Sequence, residues 1–120
     1  MASVKKVKLS HNVYVVELDR KVWSDKVKFR AANPHYKGMM GCLYVGMTSH
    51  SPQERYQKHK SGYKNKKGFK ISSVYVEKYG KCLRPSLYAT FNPLTRSDAT
   101  TLEKNLAHSL KKRGYAVWWN

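Results

Sequence analysis

The chain opens on a basic stretch, and its first ordered pattern begins at residue 12. Val13, Tyr14, Val15, Val16 and Leu18 form a β-branched and aromatic run that Glu17 and Asp19 close, which predicts a strand over 13–18. Cys42, Leu43, Tyr44 and Val45 repeat the pattern, and Gly46 breaks it, which predicts a second strand over 42–47. Ile71, Val74, Val76 and Tyr79 alternate loosely up to Gly80 and predict a third over 71–79. Tyr115 to Trp119 predicts a last short strand. Two helices stand out. Pro52 suits a first helical position, Ser51 can cap it, and Glu54 follows at capping-box spacing, so a helix is predicted over 52–60. In the second, Leu102, Leu106, Ala107 and Leu110 make an apolar stripe. Ser97 is the predicted cap, Lys111, Lys112 and Arg113 suit the C-terminal end, and Gly114 supplies the stop. Between these elements, Val22, Trp23, Val27 and Phe29 have no steady period, and Asn33-Pro34 and Gly38 mark turns. Residues 20–40 therefore read as an irregular excursion with one short helix at 24–32. Residues 84–91 hold one helical turn, closed by Asn92-Pro93, and 61–70 reads as an exposed loop.

A chain of 120 residues without internal repeat or linker is expected to be a single domain over 1–120 with one modest core. Charge changes the picture more than length does. Twenty-four Lys and Arg face seven Asp and Glu, a net +17, and this excess points to a polyanionic partner, nucleic acid first. A membrane is not expected, because no segment approaches the ~20 apolar residues of a span. The N-terminus MASVKKVKL lacks the apolar run of a signal peptide. Cys42 and Cys82 make neither a disulfide framework nor a zinc motif; both are expected to be buried thiols in a reducing, cytoplasmic compartment.

Candidate chemistry gathers around 41–59. Arg55 and His59 are four apart and share a helix face that looks back at the end of the 42–47 strand, toward Tyr44. If the strands at 13–18 and 42–47 pair antiparallel, Tyr14 and Tyr44 can lie on one face. A phenol near a metal-bound water could accept or orient its proton. Among the scarce acids, Glu103 is mid-helix at the edge of the apolar stripe. It is either a helix-surface partner of Lys104 or Lys111, or a ligand to Mg²⁺, which keeps most of its water and needs few protein donors. Between Glu54 and Glu77 stand Arg55, Lys58, Lys60, Lys64, Lys66, Lys67 and Lys70 and no acid. This run leaves the helix that carries Arg55 and His59, so its lysines are candidates to track a phosphate backbone without reading bases.

Taken together these residues resemble the GIY-YIG nuclease superfamily. Its first motif appears as Asn12-Val13-Tyr14 and its second as Tyr44-Val45-Gly46. Arg55 to His59 matches the helix with an arginine and a histidine four residues later, Glu103 the metal-binding glutamate, and Asn120 the asparagine that closes the domain. The resemblance spans 12–120. Asn12 replaces the first glycine, and the spacer between Tyr14 and Tyr44 is long, so residues 20–40 look like an insertion. The resemblance implies a small α/β (α+β) domain with a central, mostly antiparallel three-stranded sheet flanked by helices. It also implies a divalent metal (Mg²⁺ or Mn²⁺) and hydrolysis of DNA phosphodiester bonds, with RNA left open. In that scheme Glu103 holds the metal, Arg55 neutralises the non-bridging oxygens, and Tyr14 is the general base with Tyr44 or His59 in support; Gly46 and Asn120 are supporting positions. The alternative from another class is a non-catalytic nucleic-acid-binding module of the same fold.

Overall fold

A computed structural model describes residues 8–62 and 73–119. The elements run β1 (Asn12–Leu18), α1 (Lys21–Asp25), α2 (Val27–Ala31), β2 (Cys42–Thr48), α3 (Pro52–Ser61), α4 (Val74–Tyr79), β3 (Gly80–Leu83), two short 3-10 turns (Pro85–Leu87 and Ala89–Phe91), α5 (Arg96–Lys112) and β4 (Ala116–Trp119). The strands form one sheet in the order β3-β1-β2-β4. β1 pairs antiparallel with β2 and β3, and β4 pairs parallel with β2. The fold is thus a compact α+β arrangement around a four-stranded mixed sheet, one strand more than the resemblance implied. No helix among the described residues is long and apolar enough to cross a membrane.

β1 and β2 read as continuous apolar runs because both faces of the sheet are covered. Tyr14 lies opposite Gly46, Val16 opposite Tyr44 and Leu18 opposite Cys42, so these residues share one face. Val13, Val15, Leu43 and Val45 share the other, together with Val117, which pairs with Leu43. α3 covers the first face through His59, which sits against Tyr14 and Tyr44. α2 and α4 cover it through a row of rings, Phe29 on Tyr75 and Tyr75 on Trp118. α5 covers the second face. Its Thr100 touches the Met47 sulfur, its His108 and Lys111 lie on the Trp119 ring, and Leu106, Ala107 and Leu110 are buried.

Local chemistry explains where the elements depart from expectation. The described part of 71–79 is helix α4, and the edge strand starts only at Gly80. Val76 and Tyr79, three apart, are buried while Val74 is exposed, which is a helical spacing rather than an alternating one. The single helix expected at 24–32 is two, because Lys26 is extended at φ −118 and ψ 103. The one turn expected at 84–91 is two 3-10 turns. The α5 cap lies two residues before Ser97: the Thr95 side chain accepts from the Asp98 N–H. The α3 cap is as expected, with the Ser51 side chain accepting from the Glu54 N–H at 3.1 Å and Gly62 closing the helix at φ 66. Cys42 is buried, whereas Cys82, expected to be buried too, is exposed on β3.

The 20–40 excursion closes against the free edge of β4. The buried Asn33 donates to the Phe29 carbonyl at 2.8 Å and accepts from the Val117 N–H at 2.7 Å. Lys111 donates to the Ala32 carbonyl at 2.6 Å. One side chain therefore satisfies an edge group of the sheet and the end of α2 together. Asn33→Ala leaves both backbone groups without their partner, and it should lower unfolding free energy by about 2–3 kcal/mol in urea titrations. A loss below about 0.5 kcal/mol would show that the edge needs no such tie.

Candidate functional site

Three side chains expected to converge do so. Tyr14 from β1 and Tyr44 from β2 are diagonal neighbours on one sheet face, with ring centroids 6.2 Å apart. His59 enters from α3 and is 1% exposed, not a surface histidine. The Tyr14 hydroxyl oxygen and His59 Nε2 are 2.8 Å apart. Gly46 does not end β2, which runs on to Thr48. Its role is clearance. A Cβ there would stand 2.5 Å from both Cζ and the hydroxyl oxygen of Tyr14, so only glycine lets that ring lie across β2.

The backbone N–H of Ser73 donates to His59 Nδ1 at 2.7 Å. Nδ1 is thereby an acceptor, and a neutral imidazole must carry its proton on Nε2. His59 then donates to the Tyr14 oxygen. Burial and the Arg55 charge push the His59 pKa down from 6.5 to about 4, which keeps the ring neutral. Burial raises the pKa of both phenols. The neighbouring Tyr44 raises the Tyr14 pKa further, whereas the neighbouring Tyr14 lowers that of Tyr44. The Ser73 side chain also favours the ionised form of Tyr44. The chain of donors runs from Ser73 through His59 to the Tyr14 oxygen.

Arg55 and Glu103 enter as charges. The half-buried Arg55 acts on His59 and on both phenols, lowering the pKa of all three. Glu103 comes from α5, on the opposite face of the sheet from α3. β4 accompanies β2 only as far as Val45, and Thr100, one turn before Glu103, meets Met47 beyond that point. The Glu103 charge still reaches both phenols and raises their pKa. Glu103 is 8% exposed, and burial lifts its pKa from 4.5 to about 7. Among the described residues no hydrogen bond or ion pair holds it: Lys111 is turned onto the Ala32 carbonyl, and no bridge to Lys104 forms. A nearly buried carboxylate without a counter-charge is costly, and a bound cation would offset that cost. One such oxygen donor suits Mg²⁺ or Mn²⁺ completed by phosphate oxygens and water. Among the described residues no three His, Cys, Asp or Glu gather, so phosphate oxygens and water would have to supply most of the ion's ligands.

The basic run is divided. Lys60 was expected to track a phosphate backbone; it donates instead to the Glu77 and Gly80 carbonyls at 3.2 and 2.9 Å, tying α3 to the end of α4. Lys58 is half-buried on α3. Lys64, Lys66, Lys67, Lys70 and Asn120 lie outside the described residues. The sequence reading missed Ser73, whose backbone N–H holds His59 Nδ1, a contact that no side-chain pattern signals. Comparisons of the chain with protein-family models, with curated proteins and with solved structures found no match.

Two predictions follow from this geometry. Gly46→Ala must displace the Tyr14 ring, so it should cost about 1–3 kcal/mol in urea unfolding and break the Tyr14–His59 bond; wild-type stability would mean the ring is not pressed on β2. The second concerns pH in metal-free buffer. A His59 pKa depressed from 6.5 to about 4 gives stability that is lost as pH falls through that window. A Glu103 pKa raised from 4.5 to about 7 gives stability that is lost as pH rises through its own. The two oppose each other in the overlap. Glu103→Gln should therefore expose a loss of up to about 1.4 kcal/mol per pH unit on acidification below 6.5. His59→Gln should instead grow more stable as pH falls from 7 to 4.5. Parallel stability curves for both variants and the parent would contradict the assignment.

Proposed function

We propose that this chain is a divalent-metal-dependent endonuclease that hydrolyses DNA phosphodiester bonds. One observation carries the reading: a nearly buried carboxylate, Glu103, without a counter-charge among the described residues, acts electrostatically on Tyr14 and Tyr44, which are clustered with His59 and have Arg55 beside them. The net charge of +17 supports a nucleic-acid substrate, and a reducing cytoplasm fits the exposed free thiol of Cys82.

Glu103 would hold the ion, which when bound polarises the phosphate and stabilises the departing 3′ oxygen. Arg55 would meet the non-bridging oxygens with a planar fork suited to phosphate. His59 stays neutral and fixes Tyr14 from below. Burial holds the Tyr14 pKa well above the usual phenol value, whereas the neighbouring Tyr14 and Ser73 partly lower that of Tyr44, so Tyr44 is the better proton acceptor of the two phenols, in place of Tyr14, expected as the general base. Glu103 ceases to raise the Tyr44 pKa once its own charge is neutralised. To act as base, Tyr44 would first lose its phenol proton to solvent; a water then attacks phosphorus as its proton passes to the Tyr44 phenolate, and the P–O3′ bond breaks with O3′ taking a proton from solvent, to leave a 3′ hydroxyl and a 5′ phosphate.

The second reading, a non-catalytic nucleic-acid-binding module, is favoured by the 1% exposure of both phenols. Supercoiled plasmid incubated with the protein and Mg²⁺ or Mn²⁺ decides between them. The nuclease reading predicts nicked or linear product that EDTA abolishes, whereas binding without cleavage under every metal condition supports the module. Glu103→Gln should lower cleavage at least ~100-fold, equivalent to about 2.7 kcal/mol in the barrier, and leave DNA binding intact or tighter. Arg55→Ala should lose rate and some affinity, since arginine touches phosphate in both ground and transition states. Tyr44→Phe should lose more rate than Tyr14→Phe; the reverse order returns the base role to Tyr14.

A further inference from the structure

The stretch 32–40 and the C-terminal end of α5 enclose a cavity of about 840 Å³, within the size range of small-molecule sites. None of Tyr14, Tyr44, Arg55, His59 and Glu103 lines it. Its apolar lining includes Tyr36, Met39, Met40 and Tyr115. Exposed His35, Lys37, His108, Lys112 and Arg113 give it five basic side chains, and no acid stands among the described lining residues. The walls are held in place. Tyr36 packs on Trp23 with centroids 4.6 Å apart, and its hydroxyl donates to the Met40 carbonyl. The Arg113 guanidinium lies 5.9 Å from the Tyr115 ring centroid. Gly114 turns at φ 102, and a Cβ there would stand 3.1 Å from Met40 Cγ, so the turn closes tightly on that side chain. Lys111 is turned onto the Ala32 carbonyl, which leaves Lys112 and Arg113 as the cations at the helix end.

We infer that this cavity is a nucleotide site, which takes an unstacked base of single-stranded nucleic acid against Tyr36, Met39 and Tyr115 and its phosphate on Lys112 and Arg113. Flat apolar and aromatic walls accept any base by stacking, and a cationic rim tracks the backbone. An apolar ligand without phosphate would have no use for the five basic groups, and a bare anion none for the rings and thioethers. The site shares a substrate class with the nuclease reading but uses neither its residues nor its metal. At ~1.5 Å rise per residue, Lys112 stands ~13 Å along α5 from Glu103, within reach of one oligonucleotide.

The test is titration of deoxyadenosine monophosphate in EDTA into the full chain carrying methyl-labelled methionine. Met39 and Met40 report on the cavity, and Met47, on β2 against Thr100, reports on the other site. The expected result is a saturable shift of the Met39 and Met40 methyls with Met47 unmoved. K112Q/R113Q, at two exposed positions, should weaken it at least fivefold, and deoxyadenosine should bind at least fivefold more weakly than the monophosphate. The same shifts with inorganic phosphate alone, equal affinity for deoxyadenosine, movement of Met47 only, or no saturable shift would each overturn the site. Loss of plasmid cleavage would leave it standing, because no step of this experiment requires metal or turnover.

Discussion

The hydrogen bond between the Tyr14 hydroxyl and His59 Nε2, 2.8 Å long and buried, fixes much of what surrounds it. It joins the central strand of the sheet to α3. His59 in turn accepts from Ser73, so the same imidazole anchors the start of α4. A polar ring at 1% exposure is tolerable only while both its nitrogens are paired, which demands that α3, β1 and Ser73 arrive together. Gly46 is the other half of the constraint, since any side chain there would occupy the space of the Tyr14 ring. The sheet register follows from it: a slip of one residue would turn Tyr14 away from His59 and put Val13 in its place.

Much of this could be read from the chain, and for identifiable reasons. β1 and β2 announce themselves because strands covered on both faces need unbroken apolar runs. α3 shows through Ser51, Pro52 and Glu54, which act on neighbouring backbone groups. The convergence of Tyr14, Tyr44 and His59 was legible because strand pleat and helical spacing both place residues by counting. α4 was not, because six residues are too few to separate a period of two from one of 3.6, and Val74 and Val76 fit both. Lys26 breaks the early helix without Gly or Pro to mark it. Thr95 and Ser97 are equally good caps by type, and only the approach of the chain selects the first. Ser73 holds His59 through its backbone N–H, and Lys60 finds carbonyls that are close only in the folded chain.

The electrostatics depend on scarcity. With seven acids against twenty-four Lys and Arg, a carboxylate that finds no cation is unexpected, and among the described residues Glu103 is such a case. Burial removes it from the surface lysines, and the sheet itself separates α5 from α3. β4 accompanies β2 only from Cys42 to Val45, and the Glu103 charge acts on both phenols across the sheet. The same helix carries Lys112 and Arg113 to the cavity at its far end. α5 therefore serves two chemistries, an isolated acid at its middle and a cluster of bases at its C-terminus.

The account stands on the direction of the proton chain from Ser73 through His59 to Tyr14, and long-range proton–nitrogen correlation on labelled protein reads it directly. At pH 7, with His59 assigned by its loss in His59→Gln, the account predicts a neutral ring protonated on Nε2 and an unprotonated, hydrogen-bonded Nδ1. A proton on Nδ1, or an imidazolium at that pH, would contradict it.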